Sequence, residues 1–412
     1  MSKRVVITGI GALSPLGHDW PTVEAHLRSL RNTVQVMPGW DAYEGLNTQL
    51  GSVAKHFDLP EHYNRKTTRS MGRVAILAVR ATEIALAQAG LLNDPLLHSG
   101  RMGIAYGSSI GSPSAIGAFG KMMVNQTTEG ISANTYIKCM AHTAPVNMGV
   151  FFGITGRIIT TSSACTSSSQ GIGYAYETIQ SGKQVAMLAG GAEELHAIDA
   201  AVFDTLFATS VRNGEPELTP RPFDAARDGL VLGEGACTLV LEELSHALAR
   251  GATILAEVVG YGTNSDGKHV THPNSETMGG AMQLALDDAG LPASAIAYVN
   301  AHGTATDQGD IMESHATAQV LGEQVPISSL KSYMGHTLGA CGSLEAWMTI
   351  EMMRHGWFAP TINLTDPDPK CASIDYLMGD GRTIDAEHVM SNNFAFGGIN
   401  TSLIFKRWTP LA

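Results

Sequence analysis

Residues 159–182 of this sequence are ITTSSACTSSSQGIGYAYETIQSG, and residues 327–356 are ISSLKSYMGHTLGACGSLEAWMTIEMMRHG. Each stretch begins as a short strand, passes through a tight turn into a helix rich in small residues, and ends at a glycine. Such self-similarity indicates a duplicated supersecondary unit. The sequence therefore predicts two copies of one α/β unit, residues 1–252 and residues 253–412, that share a continuous core.

Apolar runs that end at or near a glycine recur along the rest of the chain. Val5–Ile10, Met102–Tyr106 and Val185–Leu188 are three of them. Runs of this kind are typical of strands buried on both faces of a sheet that helices cover. Arg73–Ala89 repeats Ala, Leu and Ile at helical spacing, and we expect it to form one of those helices. Together these segments predict an α/β protein.

The composition excludes several classes of protein. Of the 412 residues, 44% are hydrophobic and 16% are charged, which excludes a disordered chain. The net charge of −12 without any Lys/Arg run argues against nucleic acid as a partner. No apolar stretch approaches the ~18 residues of a membrane helix, so we expect no transmembrane segment. Five cysteines without CxxC spacing indicate neither disulfides nor a metal site, and a cytoplasmic location is expected.

Cys165 lies where the first of the two quoted stretches changes from strand to helix. A thiol at a helix N-terminus faces the positive end of the helix dipole, which lowers its pKa. The small neighbouring residues leave room for a substrate and leave backbone N–H groups free to bind an oxyanion. This setting favours a catalytic nucleophile.

Two of the fifteen histidines have similarly unusual settings. His302 directly follows an apolar strand, and His336 lies where the second quoted stretch turns into its helix. The duplication predicts that Cys165 and His336 occupy equivalent helix starts and meet near the axis that relates the two halves. Lys331 follows an apolar strand, where a charge is costly unless it is paired.

These motifs resemble those of the β-ketoacyl-acyl carrier protein synthases, of the elongating type with a Cys-His-His triad. The resemblance extends in order from Arg4 to Phe405. It implies a thiolase-like duplicated fold of five layers, α-β-α-β-α, in which two sheets enclose a pair of buried helices, and a dimeric protein. The motifs that carry it are RVVITGIGALSPLG, TSSACTSSS, RDGLVLGEG, AHGTAT, KSYMGH and NNFAFGGIN.

The resemblance implies a decarboxylating Claisen condensation. Cys165 would attack an acyl thioester, with the N–H groups of Cys165 and Phe396 as the oxyanion hole. His302 and His336 would stabilise the enolate left when malonyl carrier protein loses CO₂, and Lys331 would orient and tune both histidines. Acyl carrier protein is the implied partner, because it carries the substrates on its phosphopantetheine arm. No metal or redox cofactor is expected.

The resemblance also implies binding residues around that centre. Thr304 and Thr306 would hold the phosphopantetheine arm, and Ile110 would lie at the floor of the acyl pocket at the dimer interface. Three sites depart from the usual pattern of the family: Leu230 stands for Phe, Ala395 for the first Gly of a mobile gate, and several carrier-docking positions are not basic. The implied binding residues are Thr304, Thr306, Ile110, Leu230, Gly397, Gly398 and Asn400, with Lys66 and Arg69 for docking of the carrier.

Several alternatives stay open at this point. The departures fit ordinary fatty-acid elongation by a homodimer, or a specialised type II polyketide system, such as one making aryl polyenes, with a chain-length factor as the second subunit. A thiolase is a poor fit, because the loop at Ala395–Gly398 lacks a second cysteine. A non-catalytic tunnel-shaping subunit is a poor fit too, because Cys165 and both histidines are present. Four further polar residues would surround either a monovalent cation or only one another: Asn300, Glu345, Ser391 and Asn392.

Overall fold

The computed structural model describes residues 2–410. Met1 at the start of the first predicted half and residues 411–412 at the end of the second lie outside this range. The strands are β1 (Val5–Leu13), β2 (Gln35–Val36), β3 (Leu50–Ser52), β4 (Met102–Gly107), β5 (Ile158–Thr160), β6 (Ala186–Glu193), β7 (Leu232–Gly233), β8 (Gly235–Glu243), β9 (Ala256–Ser265), β10 (Ile296–Asn300), β11 (Pro326–Ser328), β12 (Trp357–Phe358), β13 (Asp375–Tyr376), β14 (Arg382–Thr383), β15 (His388–Ala395) and β16 (Ile399–Arg407). The α-helices are α1 (Trp20–Arg28), α2 (Arg65–Thr68), α3 (Arg73–Gln88), α4 (Pro113–Asn125), α5 (Ala133–Cys139), α6 (Thr143–Phe152), α7 (Ser167–Gln180), α8 (Ala197–Asp204), α9 (Leu244–Ala249), α10 (Ser275–Ala289), α11 (Asp307–Leu321), α12 (Lys331–Met334) and α13 (Cys341–His355).

The large sheet shows the duplication directly. Its strand order is β13-β11-β10-β15-β16-β9-β1-β8-β6-β4-β5. If the five main strands of each half are numbered along the chain, both halves have the order 3-2-4-5-1. In both, strand 2 pairs in parallel with strands 3 and 4, and strand 5 pairs antiparallel with strands 4 and 1. The predicted duplicated α/β fold is confirmed.

The two halves join along their first strands. β1 pairs antiparallel with β9 over only three residue pairs, from Val5↔Val258 to Ile7↔Ala256. The resemblance implies two sheets, and here this short ladder links them into one. The predicted boundary at residues 252–253 lies in the connection between α9 and β9, a region without a long linker.

Paired glycines let an outer helix pack closely on each half. A Cβ atom on Gly9 of β1 would lie 2.4 Å from the carbonyl oxygen of Ala85 in α3. A Cβ atom on Gly260 of β9 would lie 2.4 Å from the carbonyl oxygen of Ala285 in α10. Since real Cβ atoms do not approach this closely, glycine is required at both equivalent positions. α3 and α10 therefore form the outer layers of the two halves.

Two buried helices, α7 and α13, form the central layer. Every residue of α13 from Cys341 to Met353 is buried, and the two helices share one apolar cluster with the inner faces of the sheet. A Cβ atom on Gly342 would lie 2.8 Å from Cβ of Ser169, so the helices touch through small residues. This confirms the predicted five-layer arrangement and places the starts of α7 and α13 side by side.

Two further sequence predictions concern disulfide bonds and membrane-spanning helices. All five cysteines fall within residues 2–410, and each is a free thiol. In the same range, no helix is long and apolar enough to cross a membrane.

Candidate active site

Cys165 lies in a sharp turn between β5 and α7. Its neighbour Ala164 has φ 51°, in the left-handed region, and residues 164–166 form a 3-10 turn that leads into the helix. Leu338 has φ 45° and begins the matching turn, residues 338–340, before α13. Such backbone conformations are costly for residues other than glycine and cluster at functional sites. The turn leaves the thiol at the entrance to the helix.

The duplication equates Cys165 with Gly339, and the predicted equivalence of Cys165 and His336 is wrong. The equivalent strands are β5 before α7 and β11 before α13. The second half has six more residues between strand and helix, because α12 is inserted there. His336 belongs to this insertion. It nevertheless lies beside Cys165, because the helix starts are adjacent.

Cys165, His302 and His336 form one buried cluster. His336 Nε2 lies 2.9 Å from Cys165 Sγ, and the sulfur and one ring nitrogen of each histidine lie within 4.8 Å of one another. The two imidazole rings are perpendicular, at 88°, with centroids 5.1 Å apart. The exposed fractions are 3%, 7% and 1% for Cys165, His302 and His336. The structure therefore brings together the three residues that the sequence singled out.

Neighbouring groups set the proton positions on both histidines. The backbone N–H of Leu338 donates to Nδ1 of His336 at 3.3 Å. The ammonium group of Lys331 lies 3.3 Å from Nδ1 of His302. Because Nδ1 accepts in each ring, a neutral imidazole carries its proton on Nε2. Both histidines therefore present an Nε2–H donor to the space above Cys165.

Both histidines are held in the neutral form. Burial lowers the pKa of His302 and His336 well below the usual value, and the Lys331 charge lowers both further. Unlike a surface histidine, this pair does not titrate near neutral pH. The site consequently offers two neutral hydrogen-bond donors and no acidic imidazolium.

For the decarboxylation that the resemblance implies, we expect a rate independent of pH between about 5.5 and 7, because the pKa values of His302 and His336 are held well below the usual value of about 6.5. The rate is measured with Cys165→Gln protein, in which no thiol contributes. An apparent pKa near 6.5 in this profile would contradict neutral donors. In the unfolded chain, His302 and His336 bind protons below about pH 6.5. Their contribution to the free energy of unfolding is therefore fully present above that pH and is lost as the pH falls towards their folded pKa.

The thiol itself differs from the sequence expectation. Burial raises the pKa of Cys165 to about 11, while the Lys331 charge and the backbone N–H groups of Phe396 and Cys165 act in the opposite direction. The expected lowering by the helix terminus is thus outweighed by desolvation. The resting residue is a thiol, and its thiolate is stabilised only where those N–H donors and the cation act on it.

Lys331 is fully buried and paired. Its Nζ donates to Oε1 of Glu345 at 2.5 Å, and Nδ2 of Asn393 donates to the other carboxylate oxygen at 2.8 Å. The carboxylate beside it raises the pKa of Lys331, despite burial. The charge predicted to be paired is therefore paired, and the cation next to His302 is permanent.

The four polar residues considered for a cation do not all form one network. Glu345 is bound to Lys331, and Nδ2 of Asn300 donates to Oγ of Ser391 at 3.2 Å. The side-chain amide of Asn392 is buried and has no hydrogen-bond partner among the described residues. Hydrogen bonds within the chain thus explain Glu345 and Ser391, whereas the side-chain oxygen of Asn300 and the whole amide of Asn392 have no partner among the described residues.

A cavity of about 490 Å³ opens onto Cys165. Lys331 lies behind the histidines, and Ile110, Gly397, Lys66 and Arg69 lie outside the lining. Those predicted residues that line the cavity are Cys165, His302, His336, Phe396, Thr304, Thr306, Leu230, Gly398 and Asn400.

The cavity wall at Thr304 and Thr306 is held by carboxylates. The two hydroxyl oxygens are 3.0 Å apart. Glu313 on α11 accepts the backbone N–H groups of His302 and Gly303, each at 2.7 Å, and Asp310 accepts the N–H of Ala305 at 3.1 Å. Burial raises the pKa of Glu313 to about 8, although those N–H groups lower it.

Sequence reasoning missed Glu313 and Asp310. The available signal was their spacing: they are three residues apart on a helix that directly follows the AHGTAT motif, and so share one face. Arg227 was missed as well, and it spans the same region by donating to Asp368 at 2.7 Å and to the carbonyl of Asp307 at 2.9 Å.

The glycine-rich turn after β15 closes another side of the cavity. Gly397 has φ 87° and is exposed, and its N–H donates to the carbonyl of Val270 at 2.8 Å. Asn400 donates to the carboxylate of Asp266 at 2.7 Å, and a Cβ atom on Gly398 would lie 2.7 Å from that aspartate's Cβ. This turn is therefore tied to the loop at residues 265–274.

The remaining predicted residues lie around this centre. Leu230 is buried in an apolar cluster with Phe203, against which the Phe396 ring packs at 5.1 Å. Ile110 is half-buried in the loop after β4. Lys66 and Arg69 are exposed at the short helix α2.

Comparison with known proteins agrees with this geometry. The family described as "Beta-ketoacyl synthase, N-terminal domain" matches residues 2–247, and "Beta-ketoacyl synthase, C-terminal domain" matches residues 255–365. The chain belongs to the β-ketoacyl synthase family. This β-ketoacyl synthase is 38% identical, over 99% of both chains, to a Vibrio harveyi protein named 3-oxoacyl-[acyl-carrier-protein] synthase 2.

Solved structures extend the likeness to the whole fold. A β-ketoacyl synthase from Burkholderia phymatum is 62% identical, with a TM-score of 0.98 over 99% of this β-ketoacyl synthase and 100% of that chain. A type II polyketide ketosynthase, solved in complex with its acyl-carrier protein, is 27% identical, with a TM-score of 0.88 over 99% and 100% of the two chains. Because the relative named 3-oxoacyl-[acyl-carrier-protein] synthase 2 is more similar in sequence than this polyketide ketosynthase, the polyketide alternative is not favoured.

Proposed function

We propose that this β-ketoacyl synthase condenses an acyl thioester with malonyl-acyl carrier protein, with loss of CO₂, to extend the acyl chain by two carbons. The observation that carries the proposal is the buried cluster in which Cys165 Sγ lies 2.9 Å from His336 Nε2, with two neutral Nε2–H donors facing one space. A nucleophile beside two neutral donors suits a reaction that forms an acyl-enzyme and then an enolate.

The first step is acyl transfer. The Cys165 thiolate attacks the thioester carbonyl, a tetrahedral oxyanion forms, and the pantetheine thiol leaves with a proton while the acyl group stays on Sγ. The backbone N–H groups of Cys165 and Phe396 lower the thiol pKa, which supports them as the donors that we propose for that oxyanion. Burial opposes ionisation of the thiol. These N–H groups and the Lys331 charge favour the thiolate and so activate Cys165.

The second step is decarboxylation. The malonyl C–C bond to the carboxylate breaks, CO₂ leaves, and the electron pair moves into an enolate whose oxygen accepts hydrogen bonds from His302 and His336. Neutral donors suit this oxygen, since they stabilise charge without protonating the carbon that must react next. Lys331 acts as a positioning residue, because it holds the proton of His302 on Nε2.

The third step is carbon–carbon bond formation. The enolate carbon attacks the acyl carbonyl on Sγ, and the C–S bond breaks to release the Cys165 thiolate, which takes a proton from water to restore the resting thiol. Thr304 and Thr306, 3.0 Å apart on the cavity wall, would hydrogen-bond the pantetheine arm and align the two carbons. Each step balances without a metal or a redox cofactor, and we propose none.

The partner is acyl carrier protein, which we propose docks through Lys66 and Arg69. Both cations are exposed, as a docking surface for an acidic carrier requires.

We propose that the protein acts as a homodimer in the cytoplasm. β5 ends the large sheet, and exposed apolar side chains are found on the helices before it, including Val124 at 82% and Val150 at 78% exposed. An open strand edge with apolar neighbours is typical of a subunit interface.

The test is a condensation assay with purified protein. Octanoyl- and malonyl-acyl carrier protein should give equal amounts of CO₂ and of the 3-oxodecanoyl product, with an octanoyl-enzyme intermediate visible by intact-protein mass spectrometry. Product from octanoyl and acetyl thioesters without CO₂ would assign thiolase chemistry instead. If the protein fails to extend saturated chains but extends conjugated enoyl chains, the result would support the polyketide alternative.

A further inference from the structure

Glu193, the last residue of β6, is a buried carboxyl group with only half of its hydrogen bonding satisfied. Its side chain is 1% exposed. Oε2 accepts the backbone N–H of Ser109 at 2.8 Å and that of Gly339 at 2.9 Å. Oε1 is buried and has no hydrogen-bond partner among the described residues. Because a buried polar atom without a partner is costly, this oxygen is suited to a hydrogen-bonding group of a ligand.

Asp199 places a second buried acid close to Glu193. Asp199 lies near the start of α8, is 5% exposed, and accepts the backbone N–H of His196 at 3.0 Å. Burial, followed by the charge of Asp199, raises the pKa of Glu193 to about 8. Burial also raises the pKa of Asp199 to about 7, and neither acid forms an ion pair with a Lys or Arg side chain of residues 2–410. At neutral pH the pair therefore contains a protonated carboxyl group, which both donates and accepts hydrogen bonds.

The two acids lie close to the nucleophile, at the inner end of α8. The duplication equates Gly339, which donates to Glu193, with Cys165, and the charge of Glu193 is near enough to raise the pKa of Cys165. Asp199 lies one turn before Phe203 on the same face of α8, and Phe203 lines the cavity that opens onto Cys165. The face of α8 that carries Phe203 therefore leads from the cavity to the acids.

The side chains packed around the start of α8 are otherwise apolar. Ala197, Ala200 and Phe203 share one apolar cluster with Leu338, and Leu195 packs against it. A binding site for a small apolar molecule has this composition, because apolar walls enclose the ligand while a few polar groups fix its orientation. Glu193 and Asp199 are thus polar groups at the end of an apolar path.

We propose that Glu193 and Asp199 form a subsite that hydrogen-bonds a hydroxyl group at the far end of the acyl chain carried on Cys165. The inference rests on the proposed function. A chain that is attached to Sγ and passes Phe203 ends against the two acids. A hydroxyl group donates one hydrogen bond and accepts others, whereas a methyl end would bury both carboxyl groups without a partner. An ammonium group is less suitable, because it would pair with ionised acids and burial opposes their ionisation.

The experiment lets two acyl groups compete for Cys165. Wild-type protein is incubated with equal concentrations of an ω-hydroxyacyl and an unsubstituted acyl carrier protein of the same chain length, in a series from hexanoyl to dodecanoyl. The two adducts differ in mass by one oxygen atom, so intact-protein mass spectrometry gives the ratio of their kcat/KM values. We expect a preference for the hydroxyl of about tenfold or more at one length in the series, since a polar subsite rejects a chain that cannot pair with it.

Three variants identify the source of that preference. Asp199→Leu has a side chain of similar size without polar atoms, and should lower the preference by about tenfold while acylation by the unsubstituted chain does not fall. Asp199→Asn still hydrogen-bonds and should stay within about threefold of wild type. Asp204→Asn is the matched control: Asp204 is on the same helix and 4% exposed, but its carboxylate accepts the N–H groups of Asn47 and Thr48. The preference should be unchanged in this control.

The possible results lead to different conclusions. Equal use of the two chains at every length, or a preference that survives in Asp199→Leu, overturns the subsite. Stronger use of an ω-aminoacyl chain than of the ω-hydroxyacyl chain would assign the acids to a cation and also overturn the proposal. If no chain acylates the wild-type protein, the proposed function itself fails, and that result is distinct from equal use of the two chains.

Discussion

Cys165→Ala is expected to lower condensation by about 10⁴-fold or more, the usual cost of removing a catalytic nucleophile. No other thiol can replace it, because Cys165 alone faces the two Nε2–H donors, with Sγ 2.9 Å from His336. Intact-protein mass spectrometry after incubation with octanoyl-acyl carrier protein should show a single added octanoyl group on wild type and none on the variant.

Cys341→Ala is the matched control for that substitution. Cys341 is equally buried, begins the paired central helix, and its Sγ donates to the carbonyl of Cys165 at 3.1 Å. Among the described residues, the two histidines cluster with Cys165 and not with Cys341, and burial raises the pKa of Cys341 well above the usual value. Cys341→Ala should still be acylated. An acylated Cys165→Ala protein, or a Cys341→Ala protein without acylation, would be incompatible with the assigned nucleophile.

Replacement of either histidine is expected to remove malonyl decarboxylation. We expect Cys165→Gln to decarboxylate malonyl carrier protein, because its side-chain amide imitates the acylated cysteine. Adding His302→Ala or His336→Ala should then lower the rate of CO₂ release by about 10²- to 10³-fold, the cost of one lost oxyanion donor. The reason is that each neutral ring points an Nε2–H at the same space.

Measuring acyl transfer to Cys165 distinguishes the loss of an enolate-stabilising donor from a general loss of structure. In the background with Cys165 intact, His302→Ala should still be acylated, since the oxyanion donors of that step are backbone N–H groups. His315→Ala, an exposed histidine on α11 whose Nε2 bonds the carbonyl of Lys370, is the control and should change neither step. Wild-type decarboxylation in both histidine variants would show that the enolate is stabilised elsewhere.

The duplication was visible in the sequence because each half must repeat the same local plan. Small residues before and within two helices, glycines in equivalent strands and apolar runs of strand length are local requirements of packing. They predicted the fold, and the order of strands and the glycine contacts of α3 and α10 confirmed it. The register between the halves was wrong at His336, because the six residues inserted around α12 do not disturb the pattern on either side.

Ionisation could not be predicted from position along the chain. A helix terminus predicts a lowered thiol pKa, yet burial raises that of Cys165 to about 11. Desolvation depends on every atom that excludes water, and most of those atoms are distant in sequence. For the same reason, the proton positions on the histidines depend on Lys331 and on the N–H of Leu338, which only the folded arrangement brings to their Nδ1 atoms.

The sequence by itself determined the residue types that chemistry needs, the repeated α/β plan and the family, because these are properties of local spacing and composition. The tertiary structure alone decided three features: the insertion around α12 that carries His336, the support of His302 by Glu313, and the choice of Glu345 as the partner of Lys331. Hydrogen bonds and burial depend on distances in space, and a linear pattern carries such distances only within one helix or strand.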